Sequence, residues 1–427
     1  MKNLCNPFTE VKTPLWYPAQ ESNLQPLVPE TNALSSWANG ARLVRPAGFE
    51  PATPWFEAKY SNPLSYGRLP QLYHILYNQT MNIQQDISLK KLTTMQLGGA
   101  PRQVVEARTR ADIAEAVRYA HEQNLDIYVL GGGSNTLAHD EGFDGLIILN
   151  RIPGFEVVDE TDDLVTIVAG AGEVWDDFVR RTVEMNLSGV ECLSAIPGTV
   201  GAAPVQNIGA YGQEAASTIV SVNAYDTRDN QFVTISNAEC DFAYRHSIFR
   251  GRWAGRYIIT SVTFNLSRHQ SRPPFYAAIQ RYLDEHDIHD YSPQTLREVV
   301  MKIRFDKLPD PKVRPNTGSF FKNAIISADK LSELQQKYPD IPHYNMPQGT
   351  YKIPTGWLID RCGLKGTLHH GMRVHDKNAL VLINESAQSY EDLAQARQKI
   401  IDTVYQKFGI TIEQEPLEIP GKNSEKA

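Results

Sequence analysis

Residues 192–214 read CLSAIPGTVGAAPVQNIGAYGQE, and no other stretch limits the fold of this chain so tightly. From Gly198 to Ala203 every residue but Val200 is small, and Gln206, Asn207, Gly209 and Gly212 follow closely. Such a segment cannot carry an apolar stripe of helical or strand period, so it has little side chain to bury. What it can do is bring its backbone very close to something flat. Two readings stay open: a loop packed against a neighbouring sheet, or a backbone wall against a large planar ligand, with the two amides meeting its heteroatoms.

A second glycine-rich segment makes the ligand reading stronger. In VLGGGSNTL (129–137) an apolar strand runs into Gly131, Gly132 and Gly133, followed by Ser134 and Asn135. Glycines at such a turn allow positive φ and let backbone N–H groups approach a phosphate, while the short polar residues add donors. The spacing is neither GxGxxG nor GxxxxGK, so neither the Rossmann nor the Walker arrangement follows. A plain tight turn explains this segment alone equally well. Two phosphate-compatible stretches in one region favour a dinucleotide.

Around these loops the chain alternates. TRADIAEAVRYAHEQN pairs Thr109 and Asp112 as a helix cap and puts Ile113, Ala116, Val117 and Ala120 on one face. Strands are expected at 125–130, 145–150 and 164–172, with a helix over EVWDDFVRRTVEMN. Residues 218–267 look β-rich, and ALVLINE (379–385) is a further strand. SYEDLAQARQKIIDTVYQKFG reads as a capped helix with Leu393, Ala396, Ile400, Val404 and Phe408 inward and Gly409 as its stop. The first 80 residues differ: they hold 10 of the 26 prolines and Trp16, Trp37 and Trp55, without periodicity. Met81 reads as the biological start, with the preceding segment as upstream sequence read in frame; a lineage-specific extension is the alternative.

Bulk properties narrow the function classes. A net charge of −7 argues against a nucleic-acid partner. Cys5, Cys192, Cys240 and Cys362 are far apart, which suits free thiols in a reducing compartment rather than a metal finger. No apolar run reaches the roughly 18 residues of a membrane span, and no signal pattern opens the chain, so a cytoplasmic location is expected. Adjacent His369 and His370 point apart in most backbone geometries, and no metal site is expected there. Residues 316–323, NTGSFFKN, place Ser319 between Gly318 and two phenylalanines. That serine could cap a helix, attack a carbonyl, bind phosphate or donate a proton. No GxSxG elbow or paired histidine supports the nucleophile.

LGGGSN, IPGTVGAAPVQNIGAYG, FAYRHSIF, KLPDPKVRPNTGSFFKN, GWLIDRCGLKG and IEQEP occur in this order. Together they resemble the UDP-N-acetylenolpyruvoylglucosamine reductase family, from about Lys91 to Gly421, and IPHYNMPQGTYKIPTGWLID resembles the insert of its type I branch. The resemblance implies an α+β protein: an FAD-binding domain of the vanillyl-alcohol oxidase (PCMH) type over 97–269, and a separate α/β substrate-binding domain over 270–421. It also implies non-covalent FAD, since the glycine loop has no histidine or cysteine, with NADPH as co-substrate and a monomer acting on a nucleotide sugar. Cofactor contacts are then expected at Gly131, Gly132, Gly133, Ser134, Asn135, Gly198, Thr199, Gly201, Ala202, Gln206, Asn207 and Gly209. Arg245 matches the arginine that polarises the substrate carboxylate, Glu415 the glutamate that works with it, and Ser319 the proton donor. Tyr276, Arg304, Lys307, Asn323, Tyr344 and Asn378 fall where the family contacts substrate. The chain departs from the pattern at Leu417, where some relatives have arginine, and at Asn378, which replaces glutamine.

Overall fold

Capping and periodicity set the first α/β unit. In the computed structural model, which describes residues 81–421, Thr109 and Asp112 form a reciprocal capping box that starts the helix Arg110–Glu122. Its Ile113, Ala116, Val117 and Ala120 are buried, as their spacing demands. They cover a three-stranded parallel sheet in which Gly145–Asn150 lies between Gln103–Ala107 and Asp126–Leu130. Residues 131–135, the glycine-rich loop, leave the C-terminal end of Asp126–Leu130, so this sheet positions them. Residues 1–80, on which the N-terminal reading falls, lie outside the described residues.

A five-stranded antiparallel sheet comes next, in the order Gln231–Ser236, Ile219–Asp226, Tyr257–Ser267, Leu164–Gly170 and Phe155–Glu160. Leu164–Gly170 alternates buried and half-buried residues and packs Val165, Ile167 and Ala169 under the helix Trp175–Glu184. The stretch 192–214 crosses this unit as loops, short 3-10 turns and a small antiparallel pair of Gly209–Ala210 with Gln213–Glu214. Two helices the sequence did not advertise come after it, Ala277–Glu285 and Pro293–Lys307. Ser292 caps the second, with Pro293 in its first turn. Their apolar faces form a separate core with Cys192.

The C-terminal part is built on a four-stranded sheet, Asn316–Ser319, Val381–Asn384, Met372–Val374 and Leu368–His369. Beside it stands a three-stranded sheet of Ala324–Ser327, Thr350–Ile353 and Tyr344–Met346. The helix Tyr390–Phe408 has a capping box at Ser389 and a left-handed stop at Gly409. It buries Leu393, Ala396, Ile400, Val404 and Phe408, the larger of which contribute roughly 2 kcal/mol each by leaving water. Met95, Leu97 and Leu137 enter this same core. The chain then returns: Leu417–Ile419 pairs in parallel with Thr136–Ala138, directly after the glycine loop. The architecture is α+β, and the segment leading into the return strand carries Glu415 to the first loop.

Candidate active site

The two small-residue loops lie against each other. A Cβ at Gly132 would come 3.0 Å from Gly198 Cα, and one at Gly131 2.6 Å from Thr199 Oγ1. Gly133 and Gly198 hold φ of +63° and +130°, a region open to glycine and costly for other residues. Ser134 Oγ donates to the Pro197 carbonyl at 3.0 Å, and Arg151 to the Gly131 carbonyl at 2.8 Å. The result is a wall made of backbone. Gly201 faces away from it, because a Cβ there would meet Ala171 Cβ at 2.6 Å. Asn207 is likewise turned inward: it donates to Glu214 and Ala243 and accepts from Ala216 N–H. These two residues hold the loop's shape, and intolerance of bulk at Gly201 comes from Ala171.

A cleft of about 420 Å³ opens along this wall. Gly131–Asn135, Ala202, Gln206 and Gly209 line it, as do Arg245, Ser319, Glu415, Tyr276, Arg304, Lys307 and Asn378. The three residues expected to carry chemistry, separated widely in sequence, therefore share one space. Ser319 ends the strand Asn316–Ser319, so the helix-cap alternative falls away. Asn316 Oδ1 accepts the Gly318 N–H at 2.8 Å, and Gly318 turns at φ +70°. Phe320 then continues by donating its N–H to Leu380 and accepting from Glu415 N–H, which fixes Ser319 beside the Glu415 segment. Thr94 ties Asn316 to the glycine loop: its hydroxyl donates to the Asn316 carbonyl and its N–H to the Gly133 carbonyl. Phe320 and Phe321 are buried in the C-terminal core.

Arg245 Nε sits 2.9 Å from Glu415 Oε1, an ion-pair contact whose alignment leaves Nε without a hydrogen bond. Its Nη2 donates to the Gly209 carbonyl at 3.1 Å. Burial pushes the Glu415 carboxyl above the usual carboxylate range, against the pull of Arg245, Arg250 and Lys322. Arg304 is held below its ordinary basicity by burial, with Tyr211 and Asp176 acting the other way. Its Nη2 donates to the Ala195 carbonyl, while its Nε is unpartnered. Thr317 Oγ1, also on the cleft, is a third buried polar atom without a partner. Orphaned donors converging on one cleft suit an anionic ligand.

Not every expected residue lines the cleft. Asn323 donates to the Tyr244 hydroxyl and accepts from Thr355 N–H. Tyr344 is exposed, on the outer strand of the three-stranded sheet. Lys352 Nζ stands over the rings of both Tyr244 and Tyr344, so these residues form a cluster beside the cleft. Sequence reasoning missed Tyr128, Tyr211, Tyr244, Arg250, Thr317 and Lys352. All six lay within reach of the motifs: Tyr211, Tyr244, Thr317 and Lys352 inside them, and Tyr128 and Arg250 immediately beside VLGGGSNTL and FAYRHSIF. Leu417 lines the cleft and donates its N–H to the Asn135 carbonyl, a backbone role that survives any side chain.

A family profile described as an FAD binding domain matches residues 101–236. A second, the C-terminal domain of UDP-N-acetylenolpyruvoylglucosamine reductase, matches residues 310–419. The chain is 42% identical over 339 residues to a UDP-N-acetylenolpyruvoylglucosamine reductase of Neisseria gonorrhoeae, covering 79% of this chain and 98% of that one. It is 42% identical over 334 residues to the protein of the same name from Ralstonia nicotianae, covering 78% and 97%. Among solved structures, a UDP-N-acetylenolpyruvylglucosamine reductase from Thermus caldophilus superposes with a TM-score of 0.55 at 23% identity, over 80% of this chain and all of that one, which speaks for a common fold.

Proposed function

The chain belongs to the UDP-N-acetylenolpyruvoylglucosamine reductase family, and on that premise we propose that Arg245, Glu415 and Ser319 divide the chemistry of the cleft between them. The reaction is the FAD-dependent reduction of UDP-N-acetyl-3-O-(1-carboxyvinyl)glucosamine to UDP-N-acetylmuramate with NADPH, a step of peptidoglycan precursor synthesis. The observation that carries the assignment of roles is the convergence of Arg245, Glu415, Ser319 and the glycine wall on one cleft.

The residues present fit FAD. The Gly131–Gly133 wall is bare backbone because a Cβ there would collide with Thr199, Gly198 or the Leu92 carbonyl packed behind it, and Ser134, Asn135 and Gln206 place polar groups along the cleft. Ala202 and Gly209 complete the wall, with Gly198, Thr199, Gly201 and Asn207 supporting it from behind. When bound, FAD supplies the hydride that adds to the vinyl carbon of the enolpyruvyl ether. Addition leaves negative charge on the adjacent carbon and its carboxylate. Arg245 turns Nε to Glu415 and Nη2 to the Gly209 carbonyl, and offers its remaining N–H groups to that carboxylate. Glu415, whose carboxyl burial pushes toward the protonated form, stands beside it and moderates the charge of Arg245. Ser319 gives its hydroxyl proton to the adjacent carbon, so one hydride and one proton cross the double bond. Arg304 and Lys307 line the same cleft and offset the alkoxide left on Ser319. They and Tyr276 and Asn378 also suit the sugar diphosphate, with Asn323 and Tyr344 closing one side.

The domain division runs along the same lines: residues 97–269 hold FAD and 270–421 hold the nucleotide sugar, supported by the positions of the two family profiles. Among the described residues no helix is long and apolar enough to cross a membrane. A cytoplasmic monomer suits diffusible substrates, and light scattering of the purified protein checks the monomer.

Ser319→Ala tests the division of roles. The variant should bind FAD and bleach with NADPH at the normal rate, then recover its colour about 10²–10⁴-fold more slowly on adding the enolpyruvyl nucleotide. Recovery at the normal rate would assign the proton to water or to Glu415.

A further inference from the structure

Arg250 is a cation with no role in the chemistry so far. It is half-buried, and burial lowers its basicity. Neither of its guanidinium contacts is to a carboxylate. Nη1 donates to Gln206 Oε1 and Nη2 to the Glu415 backbone carbonyl, both at 2.8 Å. Gln206 Oε1 also accepts from Asn135 Nδ2 at 2.7 Å. Arginine can only donate, so that atom of Gln206 must be the oxygen. The amide nitrogen then has one direction left, and it reaches Glu415 Oε1 at 3.4 Å.

We propose that Arg250 is the positioning residue of this site: by gripping the Gln206 side chain and the Glu415 main chain together, it aims the Gln206 amide and sets where the Glu415 carboxyl stands between Arg245 and the cleft. The proposal rests on the roles proposed for Arg245 and Glu415. Four segments meet in this grip: the glycine loop through Asn135, the small-residue loop through Gln206, the Arg245 segment through Arg250, and the segment leading into the return strand through Glu415. Their sequence separations are large, 165 residues between Arg250 and Glu415. No local interaction could hold them in register, and each donor of Arg250 replaces one that water would otherwise satisfy.

Arg250 also acts through its charge. The groups facing the Glu415 carboxyl are Arg245, Arg250 and Lys322, with Tyr244 interacting with both Glu415 and Arg245. Glu413 and Tyr128 act in turn on Arg250. Removing one of three cations must raise the proton affinity of Glu415 further. Arg250→Met removes charge and both donors at similar length. Arg250→Lys keeps the charge but, as a point charge, cannot span both acceptors.

The test separates protonation from activity. The infrared carboxyl stretch of Glu415, identified by its loss in Glu415→Gln, is followed against pH in both variants with FAD bound. Arg250→Met should shift its titration upward by about one pH unit, and Arg250→Lys should leave it near wild type. In both, bleaching by NADPH should fall less than colour recovery does, because Gln206 is one of several groups along the cofactor wall. Colour recovery on adding the enolpyruvyl nucleotide should fall about tenfold or more, because Gln206 and Glu415 lose their fixed geometry. An unshifted titration in Arg250→Met, or equal loss in both half-reactions, overturns the proposal. Should Arg250→Met not fold, Arg250→Lys with a wild-type recovery rate overturns the positioning claim by itself. A wild-type protein whose colour the enolpyruvyl nucleotide fails to restore would instead break the reaction assignment, an outcome distinct from either.

Discussion

The cleft has two walls made in opposite ways. One is backbone: Gly131–Gly133 laid against Gly198 and Thr199, with almost no side chain between. The other is buried charge: Arg245 and Glu415, backed by Arg250, whose guanidinium holds the Gln206 side chain and the Glu415 main chain. The first is specified by what is missing, the second by what is paired. Damage should therefore differ in kind. The glycine wall should fail by collision with the loops packed behind it, losing the cofactor together with the shape of the wall. The charged wall should keep the cofactor and lose only the later half-reaction.

The harshest way to break the comparison is Gly133→Ala. A Cβ at this position would sit inside the Leu92 carbonyl oxygen, and φ is +63°. Backbone cannot yield as a flexible side chain would, so the cost should exceed about 4 kcal/mol, the diagnostic end of single substitutions. The expected product is colourless or unfolded, read from the flavin-to-protein absorbance ratio and the melting temperature. Full flavin content would show that the wall is only a turn.

On the charged wall the matching experiment is Arg245→Lys. Lysine lacks the planar fork that can meet a carboxylate with paired N–H groups. The expected loss is about 3 kcal/mol of transition-state stabilisation, by comparison with the removal of one oxyanion donor. Single-turnover bleaching by NADPH should be nearly untouched while recovery slows. Equal damage to both steps would move Arg245 from chemistry to folding.

The two walls were unequally legible in the sequence. Local rules were enough for elements whose signals lie within a turn of themselves: Thr109 with Asp112, and Ser389 with Asp392, start helices where their spacing says they should. The glycine wall showed itself through composition alone. The charged wall did not. Arg245 and Glu415 were visible only inside longer motifs, and Arg250, one residue past FAYRHSIF, gave no sign of its partner, because nothing near it in sequence records a bond to the Glu415 carbonyl. The same holds for Leu417–Ile419, whose partner Thr136–Ala138 is nearly the length of the folded chain away. Pairing across such distances is decided by the whole core rather than by neighbours. The helices Ala277–Glu285 and Pro293–Lys307 were missed for a similar reason, since their apolar faces make sense only against Cys192 and the loop around it.

Glu415→Gln sharpens the contrast through pH. Burial holds the folded carboxyl above its ordinary value of 4.5, despite three nearby cations. A group raised in this way contributes stability that is complete below the unfolded value and is lost as pH rises through the folded one. Glutamine never ionises and escapes that loss. The variant should therefore melt with wild type near pH 4 and above it at pH 8, while colour recovery by the enolpyruvyl nucleotide collapses. A gain in stability with a loss of function is what a strained catalytic group predicts. If the variant melts lower at pH 8, the Arg245 ion pair outweighs burial and the sign is reversed.

The smallest expected effect isolates what makes the glycine wall special. Gly318 has φ of +70°, close to the +63° of Gly133, yet a Cβ built on Gly318 meets nothing within 4 Å. The two positions share a backbone conformation and differ in their surroundings. Gly318→Ala should then carry only the left-handed strain of an L-residue, roughly 1–2 kcal/mol. Gly318→Asn should recover part of that, since a short polar side chain tolerates this region. The Asn316 side chain still accepts the residue 318 N–H, so the turn that presents Ser319 should persist. Flavin content should be normal and colour recovery within a few-fold of wild type, measured beside Gly133→Ala in the same assays. If both alanines cost the same, the dihedral alone explains both losses, and the close approach of backbone at Gly133 adds nothing.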